Sequence, residues 1–381
     1  MNVLALNCGS STVKFRLLAV EPGAPPTAGR ALAERTEPVR EGDYASAVRR
    51  ALELARSTAS IDTVGHRIVH GGPRFTAPTL IDDAVIEAIE ALETLAPLHN
   101  RPSLAGIRAV RATLGVELPM VAVFDTAFHA SLPEPAARYA IPWELAERHG
   151  IRRFGFHGIS YAWATARAAT LLGRTPADLR LVALHLGSGC SAAAIRGGAS
   201  VDTSMGLTPL EGLVMGTRSG DIDPALLGVL ARGEHVPLDE VERWLNESSG
   251  LLGLAGGSAD VRDLLAREAS DPRARLALDV FCHRARKYLG AYLAVLEGTD
   301  AVVFTGGIGE HSPEIRWRIA AGFGWCGLAL DPRKNAAHKT TDGVISADDS
   351  PIRALVVAAD EERMIAAETA ACVARAYARP R

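Results

Sequence analysis

Two copies of one short pattern, beginning at positions 3 and 181, constrain the fold of this chain more than any other feature. In the first copy, the apolar runs at residues 3–6 and 13–20 flank a polar segment that contains glycine. In the second copy, residues 181–184 and 192–195 flank a segment rich in Gly and Ser. Each copy predicts a β-hairpin. The repetition predicts an internal duplication, with one hairpin heading each of two related domains.

The rest of the chain has the pattern of an α/β protein. Strand-like runs at 62–69, 119–124, 301–305 and 353–358 alternate with longer helical patterns, such as the one at 273–297. Asp360 is a predicted N-cap for a closing helix that runs from 361 to about 377. We therefore expect one domain made of residues 1–129 plus 362–381, closed by the C-terminal helix, and a second domain made of residues 130–361.

Composition excludes several classes of protein. The 381 residues are 48% hydrophobic and 22% charged, which excludes a disordered chain. A net charge of −3 gives no indication of a nucleic-acid or membrane-surface partner. The five cysteines are odd in number and widely spaced, which favours reduced thiols. No signal peptide and no apolar run of roughly 20 residues is evident, so we expect a cytoplasmic protein.

Polar side chains and glycines lie in both predicted hairpin turns. The first turn contains Asn7, Gly9, Ser10, Ser11 and Thr12, and Lys14 on the return strand shares a face with Thr12. The backbone N–H groups of such a turn can face an anion. An ordinary polar turn explains one such loop equally well, but residues 185–191 repeat it, which favours a nucleotide held by its phosphates from two sides.

Other nucleotide and metal motifs are missing from the sequence. A predicted glycine turn at 305–311 follows a strand, but its spacing does not fit G-x-G-x-x-G. The P-loop, protein-kinase and zincin motifs do not occur anywhere in the chain. Those three mechanisms are therefore disfavoured.

Isolated charges stand in apolar or glycine-rich surroundings at Arg67, Asp125, His157 and Arg218. Because an unpaired buried charge is costly, each of these side chains needs a partner. One interpretation pairs Arg67 or Arg218 with Asp125 or Asp221 in structural salt bridges. The other places the two arginines and the histidine around a small anion and a phosphoryl group in transfer.

Seven motifs, in order along essentially the whole chain, resemble the acetate kinase family. They are N-x-G-S-S-T-x-K at 7–14, G-H-R-x-V-H-G-G at 65–72, A-P-L-H-N at 96–100, F-D-T-A-F-H at 124–129, G-F-H-G at 155–158, the long run at 203–224, and G-I-G-E at 307–310. The resemblance implies an α/β chain with the duplicated two-domain, actin-like ATPase (ribonuclease H-like) fold. That fold belongs to the superfamily of acetate and sugar kinases, Hsc70 and actin.

The resemblance also implies roles for individual residues. Arg67 and Arg218 would bind the carboxylate and the phosphoryl group, His157 would stabilise the transition state, and Asp125 matches the family's catalytic acid. Asn7 and Glu361 would help to hold Mg²⁺. The residues implied around the acyl group are Arg67, Val69, Leu98, Phe156 and Pro209. Those implied for ATP are Lys14, His185, Leu186, Gly187, Ser188, Gly189, Asp260, Val261, Arg262, Gly307, Ile308, Gly309, Glu310 and His311.

The implied activity is reversible, Mg²⁺-dependent and direct in-line phosphoryl transfer from ATP to acetate, giving acetyl phosphate and ADP. Mn²⁺ is a possible replacement for Mg²⁺. Because acetate is ionised at neutral pH, its attack needs no general base, and we expect Asp125 to orient the metal. The resemblance implies a homodimer whose interface lies in the second domain. A propionate or other short-chain acyl kinase, and a non-catalytic ATP-binding sensor, are the alternatives.

The sequence departs from the family pattern at a few positions. Ser188 and His311 stand where the family usually has Asn. Tyr161 stands where the family has His, in the segment after the histidine of the G-F-H-G motif. Before the closing helix, Asp360 replaces an Asn, and we expect it to add a carboxylate near the metal.

Overall fold

The computed structural model describes residues 1–9, 12–92, 97–338 and 341–378, with the backbone alone for 97–99. The chain forms two compact units. Unit 1 consists of Met1–Ala130, Phe156–Ala166 and Asp360–Arg381, and unit 2 consists of Ser131–Gly155 and Arg167–Ala359.

Residues 156–166 lie in unit 1, whereas the sequence analysis placed them in the second domain. Two hydrogen bonds explain this placement. The N–H of Gly158 donates to the carbonyl oxygen of Asp125 at 3.1 Å, and the ring of His129 bonds the carbonyl oxygen of Phe156 at 3.0 Å. Both contacts join the segment to residues 125–129, which follow the strand Met120–Phe124 of unit 1.

Each unit contains one six-stranded mixed sheet. The sheet of unit 1 has the order β3-β2-β1-β4-β6-β5 and that of unit 2 the order β9-β8-β7-β10-β12-β11. The strands of unit 1 are β1 (Asn2–Cys8), β2 (Thr12–Ala19), β3 (Arg30–Pro38), β4 (Thr63–Ile68), β5 (Thr79–Leu80) and β6 (Met120–Phe124). Those of unit 2 are β7 (Arg180–Leu186), β8 (Cys190–Arg196), β9 (Ala199–Thr203), β10 (Ala301–Thr305), β11 (Gly343–Val344) and β12 (Arg353–Val356).

The two sheets are copies of one another, strand for strand. Each begins with a three-stranded antiparallel meander, β1-β2-β3 or β7-β8-β9. The first strand of each meander pairs in parallel with β4 or β10, which pairs in parallel with β6 or β12. An antiparallel edge strand, β5 or β11, completes each sheet. The predicted hairpins and the predicted duplication are therefore confirmed.

Helices cover the sheets and connect their strands. In chain order the described helices are α1 (Tyr44–Thr58), α2 (Asp83–Ala91), α3 (Pro97–Leu114), α4 (Glu134–Ala137), α5 (Trp143–His149), α6 (Gly158–Leu172), α7 (Ala225–Glu234), α8 (Leu238–Glu247), α9 (Gly250–Ala255), α10 (Val261–Arg267), α11 (Pro272–Val295), α12 (Gly306–His311), α13 (Pro313–Ala320), α14 (Pro332–Ala337) and α15 (Glu361–Ala378). None of the helices in the described part of the chain is long and apolar enough to cross a membrane.

The central strands of unit 1 are buried on both faces, which explains their continuous apolar sequence. Helix α1 packs on one face, where Leu4 and Leu6 meet Val48 and Leu52. Helix α15 packs against β1, β4 and β6. The approach of α15 to β4 requires Gly65, because a Cβ there would lie 2.2 Å from Thr369 Oγ1. This close packing brings the first turn of α15 to the carboxyl ends of the parallel strands.

Candidate active site

Three polar side chains of unit 1 meet where parallel strands end. Asn7 lies near the end of β1, Arg67 near the end of β4, and Asp125 directly after β6. Since β1, β4 and β6 run parallel, their carboxyl ends share one edge of the sheet. The Arg67 guanidinium lies at the centre of this group.

Arg67 binds Asp125 through two of its nitrogens. Arg67 Nε donates to Asp125 Oδ1 at 3.1 Å and Nη2 donates to Oδ2 at 2.7 Å. Asp125 is only 1% exposed. Burial raises the pKa of the Asp125 carboxyl, and the bidentate pair with Arg67 opposes that rise. Burial would lower the pKa of Arg67, but the charges of Asp125 and Glu361 outweigh burial and raise it, so the guanidinium stays charged.

The remaining nitrogen of Arg67 faces the proposed metal ligands. Nη1 lies 3.4 Å from Asn7 Oδ1 and 3.2 Å from Glu361 Oε2. Glu361 is the first residue of α15, and its side chain is 14% exposed. Two oxygen donors of the kind that Mg²⁺ prefers therefore lie near one another, and the Arg67 guanidinium contacts both of them in this structure. These residues fit a divalent cation, although the described part of the chain has no cluster of three or more acidic, His or Cys side chains of the metal-binding type.

Asp360 is engaged elsewhere, and the expectation that it adds a carboxylate near the metal finds no support in its contacts. Its Oδ1 accepts from Arg16 Nη1 at 2.6 Å, and its Oδ2 accepts from Arg363 Nε at 2.9 Å. The same Oδ1 accepts from the Arg363 N–H at 3.2 Å, which confirms the predicted N-cap. Two arginines and a helix terminus thus hold this carboxylate.

His157 lies near Asp125 because the next residue, Gly158, contacts the backbone of Asp125. A Cβ on Gly158 would lie 2.0 Å from the Asp125 carbonyl oxygen, so only glycine allows this contact. His157 itself has φ +57°, a left-handed conformation that costs a non-glycine residue energy. Such conformations cluster at functional sites. The fold thus holds His157 in a strained conformation next to the end of β6.

The residues of unit 1 that were predicted to line an acyl pocket are partly described. Val69 is half-buried directly after β4, and Phe156 is 1% exposed. The side chain of Leu98 lies outside the described residues, as do Ser10 and Ser11 of the first turn. Lys14 is exposed on β2, opposite Asn7 in the hairpin register.

Several motif residues that have no predicted role connect the segments that carry Val69, Asp125 and Phe156. Asn100 is fully buried, accepts from the N–H of His70 at 3.1 Å and donates to its carbonyl oxygen at 3.2 Å. Thr126 Oγ1 accepts from the N–H of Gly71 at 3.0 Å. The ring of His70 meets Phe156 edge-on at 5.5 Å. Their place in the motifs at 65–72, 96–100 and 124–129 was the available signal, but sequence alone could not pair them.

In unit 2 the second hairpin turn is tight. The N–H of Gly187 donates to the carbonyl oxygen of Gly189 at 3.1 Å, between the ends of β7 and β8. The carbonyl oxygen of Ser188 accepts from the N–H of Gly216 at 2.9 Å. His185 and Leu186 are the last two residues of β7. The turn is thereby joined to the segment that precedes Arg218.

The glycine segment after β10 is a short helix, α12, and not the turn that the sequence predicted. Gly306 makes the change of direction with φ +76°, and a Cβ there would lie 2.7 Å from the Leu186 carbonyl oxygen. The fully buried Arg316 donates to the carbonyl oxygens of Gly309 and Glu310 at 2.9 and 2.7 Å. Arg316 thus supplies hydrogen-bond donors for two carbonyl oxygens at the end of this short helix, a contact that the sequence pattern could not predict. Gly307, Ile308 and His311 complete the helix.

Asp260, Val261 and Arg262 open helix α10. Asp260 caps the helix by accepting from the N–H of Arg262 at 2.9 Å. The Arg262 guanidinium donates to Asp260 Oδ2 at 2.6 Å, and this hydrogen bond lowers the pKa of Asp260 to about 2. Both side chains are largely exposed.

Arg218 differs from Arg67 because no carboxylate pairs with it among the described residues. Its described partner is a backbone group, the carbonyl oxygen of Pro209, at 2.7 Å from Nη1. Burial lowers the pKa of the Arg218 guanidinium. Asp221, the partner that the salt-bridge interpretation offered, instead accepts from Arg284 at 2.9 Å and Tyr288 at 2.8 Å. That interpretation therefore holds for Arg67 with Asp125 and fails for Arg218.

Two sheets with one strand order, each headed by a polar hairpin turn, define the duplicated actin-like ATPase fold. A family model for the Acetokinase family matches residues 32–367. Proteins named acetate kinase from Chloroherpeton thalassium and Streptomyces coelicolor are 44% and 47% identical to the chain. These matches cover 98% and 97% of this chain and 100% and 97% of the relatives.

Solved structures agree with these relatives. The acetate kinase of Porphyromonas gingivalis matches with a TM-score of 0.88 and 36% identity, over 98% of this chain and 99% of that one. A propionate kinase from Francisella tularensis matches with a TM-score of 0.87 and 37% identity, over 96% and 98%. The chain belongs to the acetokinase family and is a kinase, an enzyme of the phosphotransferase class.

Proposed function

We propose that the protein transfers the γ-phosphoryl group of ATP reversibly to acetate, giving acetyl phosphate and ADP. The observation that carries this proposal is the state of Arg218. It is a half-buried cation whose described partner is a single carbonyl oxygen, and partial burial lowers its pKa. Since a partly desolvated charge without a counter-ion is unfavourable, an anionic ligand is the partner that makes its position favourable. The names of the relatives make acetate the first candidate for the acceptor.

In unit 1 we assign the acyl group to Arg67 and the residues around it. Asp125 holds two nitrogens of Arg67 and fixes the plane of its guanidinium. Nη1, the nitrogen that Asp125 does not hold, is the group we assign to the acyl carboxylate, and binding there exchanges its contacts with Asn7 and Glu361 for the ligand. Val69, Leu98, Phe156 and Pro209 are the proposed apolar residues around the methyl group.

Asn7 and Glu361 would hold the Mg²⁺ ion, or Mn²⁺ in its place. The bound cation would supply charge neutralisation for the phosphate oxygens. Asn7 Oδ1 and Glu361 Oε2 lie within 3.4 Å of the same nitrogen of Arg67, and this proximity of two oxygen donors supports the assignment. Because an ionised acetate needs no base to attack phosphorus, we assign to Asp125 the role of orienting the metal ion, and no role as a proton acceptor.

We also propose the residues that bind ATP. They are Lys14 on β2 and residues of the turn after β7, the start of α10 and helix α12, namely His185, Leu186, Gly187, Ser188, Gly189, Asp260, Val261, Arg262, Gly307, Ile308, Gly309, Glu310 and His311. The support for the turn is its place at the carboxyl end of a central strand, where ligands of open α/β sheets bind.

Catalysis in this account is positioning and charge stabilisation. Phosphoryl transfer passes through a loose transition state in which negative charge spreads over the equatorial oxygens. Arg67 and Arg218 offset the repulsion between carboxylate and phosphate, and His157 adds a hydrogen bond to the same oxygens. The carboxylate attacks as the β–γ bridge opens, so the transfer is direct and in line, with no phosphorylated protein intermediate.

A propionate kinase is the second candidate. The Francisella tularensis structure with that name is as similar to this chain as the acetate kinase structure is. One methylene changes the energy of a pocket by only about 1–3 kcal/mol, so few residues separate the two activities. Val69, which narrows the proposed pocket more than a smaller residue would, favours acetate. The family resemblance also implies a cytoplasmic homodimer, and both properties stay predictions.

The test is a hydroxylamine assay for acyl phosphate with ATP, Mg²⁺ and acetate, propionate or butyrate. We expect acetate to give acyl hydroxamate with the highest kcat/KM of the three acids. A higher value for propionate would favour the second candidate. No product from any acid, together with measurable ATP binding, would overturn both and favour the ATP-binding sensor.

A further inference from the structure

We propose that Tyr139, Arg153 and Glu211 are positioning residues that fix the segment 204–221, here called the arginine loop, so that Arg218 is held ready for its anion. The inference rests on the proposed function only for the nature of that anion. All residues of the arginine loop and of this trio lie in unit 2.

The arginine loop needs anchors because it is long, irregular and not exposed. It contains no helix or strand, and every residue in it is buried or half-buried. Irregular segments longer than about 12–15 residues are uncommon in compact domains and usually functional. Buried backbone groups without a ladder must find other partners. In this loop, side chains supply several of them.

Arg153 and Tyr139, which lie outside the arginine loop, bind its first part through its backbone and through the side chain of Glu211. Arg153 Nη1 donates to the carbonyl oxygens of Ser204 and Met205 at 3.2 and 3.1 Å. Arg153 Nη2 donates to Glu211 Oε1 at 2.6 Å. The Tyr139 hydroxyl donates to Glu211 Oε2. Both carboxylate oxygens of Glu211 thus accept hydrogen bonds. Arg153 connects the start of the loop, at Ser204 and Met205, to Glu211.

Tyr139 also binds the backbone of the loop directly. Its hydroxyl oxygen accepts from the N–H of Leu207 at 2.9 Å. The approach requires Gly206, where a Cβ would lie 1.8 Å from Glu211 Oε2 and 2.0 Å from the Tyr139 hydroxyl. The carbonyl oxygen of Gly206 accepts from the N–H of Phe154 at 3.1 Å. A backbone cross-link therefore accompanies the side-chain trio.

The link to Arg218 runs through Pro209. The Pro209 carbonyl oxygen accepts from Arg218 Nη1 at 2.7 Å. Pro209 lies between Leu207, which Tyr139 binds, and Glu211, which Tyr139 and Arg153 bind. A second anchor holds the far end of the loop, where Asp221 accepts from Arg284. Release of the first anchor would leave the Pro209 carbonyl free to move and the Arg218 guanidinium without its described partner.

The variants that test this role remove single interactions. Tyr139→Phe deletes one hydroxyl from an otherwise unchanged ring, and Glu211→Gln removes the charge while it keeps the shape. We expect each to lower kcat for acyl phosphate formation about 10–100-fold, because small displacements of a catalytic group have effects of this size. The KM for ATP should change less than about twofold. Glu147→Gln is the matched control, since it breaks an exposed pair with Arg138 that does not touch the arginine loop.

A double-mutant cycle separates positioning from general stability. If Tyr139 acts through Arg218, Tyr139→Phe should have almost no further effect on kcat in an Arg218→Lys background. Full additivity of the two losses would overturn the proposal. So would wild-type kinetics in both single variants.

Amide hydrogen exchange gives a readout that does not depend on activity. In Tyr139→Phe, amides of the arginine loop should exchange at least about tenfold faster, while those of β7 and β10 keep their rates. Unchanged loop exchange would overturn the anchoring. If the wild-type protein makes no acyl phosphate, the proposed function fails, and the exchange experiment alone still decides whether the trio fixes the loop.

Discussion

Arg67 and Arg218 carry the same charge but differ in their surroundings. Arg67 forms ion pairs with Asp125 and Glu361, which balance its charge in this structure. Arg218 has a carbonyl oxygen and no described carboxylate. The sequence could single out both residues, since each stands in an apolar or glycine-rich context. It could not distinguish them, because no local pattern shows that Arg67 pairs with Asp125, a distant residue, whereas the described partner of Arg218 is the carbonyl oxygen of Pro209 in its own loop.

The proposed metal ligands can be tested through the Mg²⁺ dependence of activity. Glu361→Gln keeps an oxygen donor but loses the charge that Mg²⁺ prefers. We expect it to raise the Mg²⁺ concentration for half-maximal activity by about tenfold or more, a loss in the range seen for altered metal sites, and to regain part of its rate at high Mg²⁺ or with Mn²⁺. The measurement is a Mg²⁺ titration of kcat/KM at fixed pH.

Asp360→Asn is the matched control for that titration. Asn can still cap α15, and Asp360 is held by Arg16 and Arg363. Its Mg²⁺ dependence should equal that of the wild type. A loss of kcat in Glu361→Gln with no change in Mg²⁺ dependence would contradict the assignment of Glu361.

His66 predicts how stability depends on pH. It is 2% exposed, its Nε2 has no hydrogen-bond partner among the described residues, and burial lowers its pKa to about 3. Between pH 6.5 and pH 3, His66 is protonated in the unfolded chain but neutral in the folded protein. Stability should therefore fall as the pH drops from 6.5 towards 3, with His66 contributing up to about 1.4 kcal/mol per pH unit.

Denaturant unfolding of the wild type and of His66→Leu at several pH values measures this contribution. Below pH 6.5 the free energy of unfolding should fall less steeply in the variant, whereas above pH 6.5 the two curves should run parallel. Equal slopes over the whole acid range would show that His66 does not resist protonation in the folded state.

At the scale of elements, strands were easier to predict than short helices. The central strands are apolar along their whole length because helices cover both faces of the sheet, and the run at 301–305 coincides with β10. Helix α12 was predicted as a turn because glycines dominate it. Its support is tertiary, since Arg316 binds the carbonyl oxygens of Gly309 and Glu310. Local propensity carries no information about such a contact.

The packing of α15 on β4 gives a prediction about Gly65. A Cβ at this position would lie 2.2 Å from Thr369 Oγ1 and 2.7 Å from Ile365 Cγ2. Gly65→Ala should therefore reduce the free energy of unfolding by about 1–3 kcal/mol, the usual range for an overpacked core. Denaturant unfolding measures the change.

Two further variants sharpen the test of Gly65. Gly233→Ala in α7 is the matched control, because its Cβ would meet nothing within 4 Å, and it should be neutral or slightly stabilising. Thr369→Ala added to Gly65→Ala should restore part of the loss, since Thr369 Oγ1 has no hydrogen-bond partner in the described structure. A Gly65→Ala protein as stable as the wild type would mean that α15 does not pack as described.

At the scale of the whole molecule, the duplication was visible in the sequence because each hairpin is local. The two apolar runs and the turn of a hairpin are neighbours in the chain, so both copies could be found by reading along it. The place of residues 156–166 in unit 1 was not visible. It depends on contacts of Gly158 and Phe156 with Asp125 and His129, which no local pattern encodes.

The most direct test of the account is the effect of Arg218→Ala on acyl phosphate formation and on stability, measured on the same protein preparation. Removing one preorganised donor to a developing oxyanion typically lowers kcat about 10²–10³-fold, and we expect at least that loss in kcat/KM here. The Tm should not fall, because Arg218 has no described carboxylate to leave unpaired. Arg243→Ala, which breaks an exposed pair with Glu240, should leave both quantities unchanged. Near-normal turnover by a folded Arg218→Ala protein would contradict the central claim that Arg218 binds the reacting anion.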